Sequence, residues 1–340
     1  MFLIKRNSLE IEYLAANSIA GATTNYPIGA NFKKGGYLVA LATWTIDGGF
    51  GPEDKLACLT NKGELAVFSG ADPATWSFQG VYQVGVPMGL QPMMKYGGDL
   101  LVITETGLFP LSSAVQSTSI DRVRTVSELL RPLLSTFAGL YSGNQGWEIL
   151  IDPLTPYLMV NIPSTPIRKQ VVMQSQTSSW CVFTGLNAIC FARMGKQTYF
   201  GTADKVCKMG GVSDAGANIT GTMFQAYNRL KYQQNKKVSL IRPYISSNGG
   251  FSYNLAVATN FVNPKEINTV NAQGNVTAAI WGTSLFGIGT FSGDTVMTND
   301  WQSVSDEYGL WKSIYLQITS NNAVIKYFGC DLLYMTGGNF

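Results

Sequence analysis

Two segments of the chain show the same order of apolar and polar positions. In DLLVITETGLFPL, residues 99–111, an apolar run is followed by a polar turn that ends at Gly107 and then by a second apolar run. The same order occurs in DKLACLTNKGELAVFSG, residues 54–70, where Gly63 precedes Gly107 by 44 residues. Short apolar runs that flank a glycine-containing turn predict β-hairpins. The chain therefore contains a repeated strand–turn–strand unit.

Later turns extend this spacing. Turns near residues 154 and 203 follow the one near 106 at steps of about 48 and 49 residues, and 146–162 and 169–185 are each interpreted as a hairpin-like unit. A unit of about 40–50 residues with four short strands is the period of a β-propeller blade. The pattern predicts an all-β, β-propeller-like domain of four-stranded blades, complete or incomplete. A plain antiparallel sandwich with coincidental spacing stays open as the alternative.

Aromatic residues support the repeat. Trp76 and Trp180 each begin a short aromatic strand that is followed, after a glycine-containing turn, by the next hairpin. Large aromatic side chains at one strand position per unit suit the packing of neighbouring sheets.

One segment has a helical instead of an alternating pattern. In residues 119–141, apolar side chains recur at helical spacing, and residues 125–128 (TVSE) resemble a capping box. Pro132 lies inside this pattern, which predicts a kink or two short helices. We expect a short helical insertion in an otherwise all-β chain.

The pattern changes near residue 213. Residues 213–221 (SDAGANITG) resemble a linker, and residues 311–338 alternate cleanly, with Ile314, Leu316 and Ile318 on one face. The sequence predicts a β-propeller-like domain at 1–212, which contains the helical insertion, and a β-rich assembly domain at 213–340.

The amino-acid composition excludes several kinds of catalytic and metal-binding site. The chain has no histidine, which excludes histidine-based nucleophilic catalysis and histidine-ligated zinc. The five cysteines, which lack a C-x-x-C motif, are interpreted as buried free thiols in a reducing compartment, and no metal or cofactor is predicted. Charged residues make up only 13% and the net charge is +3, values that favour a protein buried in an assembly over one steered to nucleic acid by its overall charge.

The hydropathy pattern predicts no membrane-spanning segment. The start of the chain, MFLIKRNSLEIEY, has charges within and after a short apolar run and does not resemble a signal peptide. We expect the protein to remain in the compartment where it is made.

Paired carboxylates are the remaining route to hydrolysis, because glycoside hydrolases use two acids. Most of the candidates lie beside turns, where carboxylates usually accept backbone hydrogen bonds, so a structural role is favoured. These candidates are Asp47, Glu53, Asp54, Glu64, Asp99, Glu105, Glu148, Asp152 and Asp204.

Positive charge is densest between residues 229 and 242, where tyrosines are interleaved. The basic residues there are Arg229, Lys231, Lys236, Lys237 and Arg242. Such a stretch is a possible DNA or partner contact, and contacts to phosphates would not read sequence. An ordinary solvated hairpin is the alternative.

Long strings of the chain resemble a known family. These are FKKGGYLVALATWTIDGG at 32–49, DKLACLTNKGELAVFSGADPATWSFQGVYQVGVPMG at 54–89, KYGGDLLVITETGLFPLS at 95–112, SSWCVFTGLNAICFARMGKQTYFGTADKVCKM at 178–209 and NDWQSVSDEYGLWKSIYLQITSNNAVIKYFGCDLLYMTGG at 299–338. They resemble tail nozzle proteins of short-tailed bacteriophages (podoviruses), also called tubular, hub or DNA-stabilisation proteins. The resemblance extends from about residue 30 to the end of the chain.

The resemblance implies a structural virion protein without catalytic residues. It implies a propeller-based subunit of a ring, commonly a hexamer, that lies below the adaptor of the portal and contacts other tail proteins. Such a ring retains genomic DNA, and conducts it through its lumen at ejection without sequence readout. Localisation in the virion tail, after assembly in the cytoplasm of the host bacterium, follows from the same resemblance.

Two other functions stay open at this stage. One is a carboxylate-dependent propeller hydrolase that acts on glycans, and the other is a receptor-binding module at the tail tip.

Overall fold

The computed structural model describes residues 1–47, 52–70, 72–116, 126–231, 233–264, 267–272 and 296–337. It divides the chain into two compact units, Met1–Met209 and Gly210–Phe340. Antiparallel strands dominate both units, and the predicted all-β class with a short helical segment is confirmed.

Within its described residues, unit 1 consists of five small antiparallel sheets in chain order. Sheet A contains β1 (Phe2–Ile4), β2 (Glu10–Tyr13) and β3 (Thr24–Pro27), and sheet B contains β4 (Leu38–Asp47), β5 (Pro52–Thr60), β6 (Glu64–Ser69) and β7 (Ser77–Gln83). Sheet C contains β8 (Met93–Tyr96), β9 (Asp99–Thr104) and β10 (Gly107–Pro110). Sheet D contains β11 (Glu148–Ile151), β12 (Tyr157–Ile162), β13 (Lys169–Gln174) and β14 (Ser179–Thr184), and sheet E contains β15 (Cys190–Met194), β16 (Gln197–Gly201) and β17 (Val206–Lys208). In each sheet, strands adjacent in the chain are also adjacent in space.

The five sheets pack on one another in chain order, because the central strands are apolar on both faces. On β9, Leu100 and Val102 lie in the apolar cluster shared with sheet B, whereas Leu101 and Ile103 lie in the cluster shared with sheet D. Successive side chains of a strand point to opposite faces, so an unbroken apolar run can fill two interfaces at once. The same arrangement holds on β6, where every residue is buried.

The first strands of consecutive sheets are neighbours, with contacts between β4 and β8, β8 and β11, and β11 and β15. Serial packing with adjacent first strands is a propeller-like feature. The described residues nevertheless form no closed propeller or barrel, so the structure supports an open series of sheets instead of a complete ring of blades.

The predicted hairpins at 54–70 and 99–111 are present as β5–β6 and β9–β10, the second and third strands of sheets B and C. The turn near residue 154 joins the first and second strands of sheet D and is therefore not equivalent to them. The predicted strand pairs at 146–162 and 169–185 are present as β11–β12 and β13–β14. Pairing of Leu158 with Met173 joins the two hairpins into one four-stranded sheet.

Helical structure in unit 1 comprises α1 (Leu111–Gln116), α2 (Arg131–Tyr141) and short 3-10 segments at Gly29–Asn31, Pro73–Thr75 and Glu128–Leu130. Pro132 lies in the first turn of α2, where proline removes no hydrogen bond. Phe137 on α2 packs in the cluster between sheets C and D. Residues 119–125 of the predicted insertion, including the start of its capping box, lie outside the described residues.

The described residues of unit 2 form two sheets. Sheet F contains, in spatial order, β18 (Ile219–Phe224), β24 (Lys312–Ser320), β20 (Phe251–Thr259) and β21 (Asn268–Ala272). In sheet G, β19 (Lys236–Ser247) pairs with β22 (Val296–Thr298) and β23 (Gln302–Ser303), and also with β25 (Ile325–Thr336). Both sheets contribute to one core, in which Ile241 of sheet G lies with Leu255 and Leu316 of sheet F. The predicted alternation of Ile314, Leu316 and Ile318 is confirmed by their shared place in this core.

Candidate functional site

The structure distributes the five predicted contact residues over three environments. Arg229 and Lys231 are exposed on the segment before β19. Lys236 begins β19 and is fully buried, whereas Lys237 and Arg242 are half-buried. The five basic side chains therefore do not form one continuous surface.

The structure corrects the predicted set of contact residues at Lys236, because this side chain is buried. Its side chain is 0% exposed, and its Nζ donates a hydrogen bond to the carbonyl of Gln234 at 2.8 Å. Burial lowers the pKa of Lys236, and the positive charges of Lys312 and Arg229 lower it further. A side chain in this position cannot reach a DNA phosphate.

A buried ion pair lies close to Lys236 in the core of unit 2. Lys312 Nζ is 2.6 Å from Asp306 Oδ2. Asp306 also accepts hydrogen bonds from the Val238 amide at 2.8 Å and the Thr259 hydroxyl at 2.6 Å. Burial lowers the pKa of Lys312, whereas the hydrogen bond with Asp306 opposes this shift. These contacts join β19 of sheet G to β20 and β24 of sheet F, so the pair has a structural role.

Arg242 is engaged on the outer side of sheet G. Its guanidinium forms an ion pair with Asp331, which lies opposite it on β25, and is 4.8 Å from the ring centroid of Trp301. The Tyr244 hydroxyl donates to the same Asp331 carboxylate at 2.6 Å, and these two partners lower the pKa of Asp331. The charge of Arg242 is therefore balanced within the protein.

Arg229 has a different environment. Its guanidinium lies 4.3 Å from the ring centroid of Trp311, and the Trp311 ring is 5.7 Å from Phe261. The Tyr227 ring contacts the Phe261 ring at a centroid distance of 4.4 Å, with the two ring planes tilted by 38°. Sequence reasoning identified Arg229 and Tyr227 but missed Phe261 and Trp311, because no local pattern connects residues so far apart in the chain.

Three of the nine candidate acids, Asp99, Glu148 and Asp152, bond across neighbouring sheets. Asp99 of sheet C accepts a hydrogen bond from the Trp44 indole of sheet B at 2.9 Å. Glu148 of sheet D accepts from the Phe191 amide of sheet E at 3.0 Å. Asp152 accepts from the Thr198 hydroxyl of sheet E at 2.7 Å. These carboxylates occupy structural positions at two sheet interfaces, B–C and D–E.

Glu64 plays a related role at the entrance to sheet B. Its two carboxylate oxygens accept hydrogen bonds from the amides of Lys33 and Lys34, at 3.1 and 2.9 Å. These amides belong to the connection between sheets A and B, so the carboxylate holds that connection against β6.

Two of these carboxylates have opposite pKa shifts. Burial raises the pKa of Glu148, because only one backbone hydrogen bond compensates for lost hydration. Burial also acts to raise the pKa of Asp152, but hydrogen bonds from Thr155 and Thr198 outweigh it and leave this pKa below its ordinary value.

The remaining candidate acids are at turns and edges. Asp54 accepts a hydrogen bond from Thr45 at 2.6 Å and Asp204 from Thr202 at 2.9 Å, both at exposed positions, and Glu105 lies in the exposed turn of the β9–β10 hairpin. The side chains of Asp47 and Glu53 lie outside the described part. Among the described residues, no group of three or more acidic or cysteine side chains is arranged to hold a metal ion.

None of the helices in the described ranges has the length and apolar character needed to cross a bilayer. Comparison with protein-family models gives no match, and no curated protein matches the chain. The fold defines the chain at the level of class: an all-β protein with an open series of stacked sheets followed by a two-sheet unit.

Proposed function

We propose that this chain is a structural protein of a short bacteriophage tail. In this role it forms the nozzle or hub ring that continues the DNA channel below the portal adaptor, and it retains or conducts genomic DNA. The long strings described above carry this proposal, since they resemble nozzle proteins. They lie on sheets B, C and E, on β14 of sheet D, and on β23, β24 and β25 of unit 2.

The use of the acidic side chains supports the structural role over the hydrolase. Asp99, Glu148 and Asp152 each accept hydrogen bonds across a sheet interface. A glycosidase needs two carboxylates that face a substrate, one of them as an acid. Carboxylates that hold sheets together favour a protein whose function is mechanical and architectural.

The proposal includes a homo-oligomeric ring, with six copies as the leading expectation, and contacts with the portal adaptor and other tail proteins. The exposed apolar side chains support burial in an assembly. Met194 and Val206 on sheet E are 74% and 76% exposed, and Phe328 on β25 is 64% exposed. Scattered exposed side chains are normal, so the oligomeric state itself is the deciding measurement.

Electron microscopy tests the proposal. The purified chain is imaged by negative stain beside short-tailed particles that contain it, and antibody labelling locates the chain on those particles. Rings with a central hole and label at the tail below the portal are the expected result. The oligomer mass is measured independently by light scattering after size exclusion.

A chain that stays monomeric at high concentration and is absent from particles would contradict the proposal. Glycan cleavage that is lost on substitution of paired acids would favour the hydrolase. Label confined to the tail tip, together with direct adsorption of the purified chain to host cells, would favour the receptor-binding module.

A further inference from the structure

Unit 2 presents an organised group of rings and positive charge that the proposed tail role does not use. We call it the aromatic–arginine platform, and it consists of Tyr227, Arg229, Phe261 and Trp311. The Phe261 ring centroid is 4.4 Å from that of Tyr227 and 5.7 Å from that of Trp311, with the ring planes tilted by 38° and 50°, and the Arg229 guanidinium lies over the Trp311 ring at 4.3 Å. Phe261 is 66% exposed, so much of the ring faces solvent.

The backbone holds Phe261 in this exposed position at a cost. Asn260 and Phe261 have φ angles of 52° and 66°, which are unfavourable for residues other than glycine and especially for a bulky aromatic residue. The turn is closed by pairing of Thr259 with Val262. The Asn260 side-chain oxygen accepts hydrogen bonds from the amides of Leu310 and Trp311, both at 3.1 Å. The turn and the strand that carries Trp311 are thereby held together.

A second strained turn lies next to Arg229. Leu230 and Lys231 have φ angles of 45° and 69°. The Asn228 side chain accepts from the Leu230 amide at 2.8 Å, and the Tyr334 hydroxyl donates to the Leu230 carbonyl at 3.3 Å. Arg229 therefore belongs to a constrained segment, which fixes its guanidinium beside the rings.

We propose that the aromatic–arginine platform binds single-stranded nucleic acid, with one base stacked on Phe261 and a phosphate near Arg229. Aromatic rings flanked by positive charge form the usual surface for unstacked bases, and every base can stack without sequence preference. Duplex DNA offers its phosphates but keeps its bases stacked, so it cannot use the ring. A neutral glycan could lie on the ring but would gain no charge attraction from Arg229.

The inference concerns unit 2 alone and does not depend on the tail role. Particle labelling and oligonucleotide binding can fail independently, so the two proposals are distinguishable.

The test is titration of the full-length protein into a fluorescently labelled 15-nucleotide oligothymidylate at about 50 mM salt, read by anisotropy. Phe261→Ala and Arg229→Gln are each expected to weaken binding roughly tenfold, the usual range for loss of one base–ring stack or one phosphate contact. Phe261→Leu keeps apolar bulk without the ring, and we expect it to bind as weakly as Phe261→Ala. Circular dichroism verifies that each variant is folded.

Phe328→Ala is the matched control, because Phe328 is a phenylalanine of nearly equal exposure, 64%, on a different surface of unit 2. It should bind like the unchanged protein. Absence of measurable binding, equal or tighter binding of a 15-base-pair duplex, or an equal loss in Phe328→Ala would overturn the proposal. So would full binding by Phe261→Leu, because it would show that the ring face is not used.

Discussion

Lys312 Nζ lies 2.6 Å from Asp306 Oδ2, and the two side chains are 2% and 1% exposed. Asp306 also accepts hydrogen bonds from Val238, Thr259 and Glu307, so both of its carboxylate oxygens have donors. Lys236 lies buried nearby, and burial together with the positive charges of Lys312 and Arg229 lowers its pKa. Asp306 therefore balances the buried charge of Lys312 at this end of the core.

Removing that carboxylate should strongly destabilise unit 2. We expect Asp306→Ala to lower its free energy of unfolding by about 3–5 kcal/mol, because the buried Lys312 ammonium then loses its hydrogen-bonded counter-ion. Lys312→Met should cost less, since Asp306 keeps its three other donors. Urea unfolding followed by circular dichroism measures both variants.

The double variant Asp306→Leu/Lys312→Met separates charge from packing. It should be more stable than Asp306→Ala, because both charges of the Lys312–Asp306 pair are then removed together. Substitution of Lys5, which forms an exposed pair with Glu10, serves as the control and should change stability little. An Asp306→Ala variant as stable as the Lys5 variant would contradict the structural role of the buried pair.

Asp152 should stabilise unit 1 in a pH-dependent way. Its folded pKa is lowered below the unfolded value, so its contribution is present above the unfolded pKa of about 3.9 and is lost as the pH falls through the folded pKa. Asp152→Asn is expected to cost about 1–3 kcal/mol at pH 7, because it weakens charge-assisted hydrogen bonds from Thr155 and Thr198. The difference from the unchanged protein should shrink in acid.

The control for Asp152 is Asp204→Asn, because Asp204 also bonds a threonine but at an exposed turn. Urea midpoints at several pH values compare the two. A constant effect of Asp152→Asn from pH 7 to pH 3 would show that its ionisation contributes nothing to folding.

Glu148 should show the opposite sign. Its folded pKa is raised above the unfolded value, so ionisation opposes folding, and this cost grows as the pH rises through the interval between the two pKa values. Glu148→Gln keeps an oxygen that can accept from the Phe191 amide and removes the buried charge. We expect the variant to be equally or slightly more stable at pH 7, with its advantage lost near pH 4. A clear loss of stability at pH 7 would contradict this account.

Gly63 should resist substitution more than other glycines with similar backbone angles. Its φ is +74°, and a Cβ placed there would lie 2.3 Å from the Gly85 carbonyl oxygen. Gly195 has φ +62° with open space around it, so Gly195→Ala measures the cost of the backbone angle alone. Gly63→Ala should cost about 1–3 kcal/mol more than Gly195→Ala in urea unfolding, because the segment from Gly85 must move. Equal costs would mean that this close approach is relaxed in solution.

The hairpins at 54–70 and 99–111 were predictable because their signals are local. Apolar runs of strand length and a glycine turn act between residues a few positions apart, and these determine where strands begin and end. The pairing between successive hairpins, such as that of Leu158 with Met173, is decided by the folded backbone, so the local pattern does not specify it.

The candidate site shows the same division. The charges of Arg229 and Lys231 were visible in the sequence, but their neighbours Phe261 and Trp311 were not, because sheet pairing brings these rings from 32 and 82 positions away from Arg229. Lys236 was misjudged because charge density along a chain does not reveal which face of a strand becomes buried.

The sequence by itself determined the all-β class, most strand positions and the helical segment. It also excluded the chemistry that requires histidine. Only the tertiary structure decided that Asp99, Glu148 and Asp152 hold sheets together, and that Lys236 is buried beside the Lys312–Asp306 pair. The physical reason is that hydrogen bonding and desolvation of a charged group depend on what surrounds it in space. Those surroundings come from segments far apart in the chain.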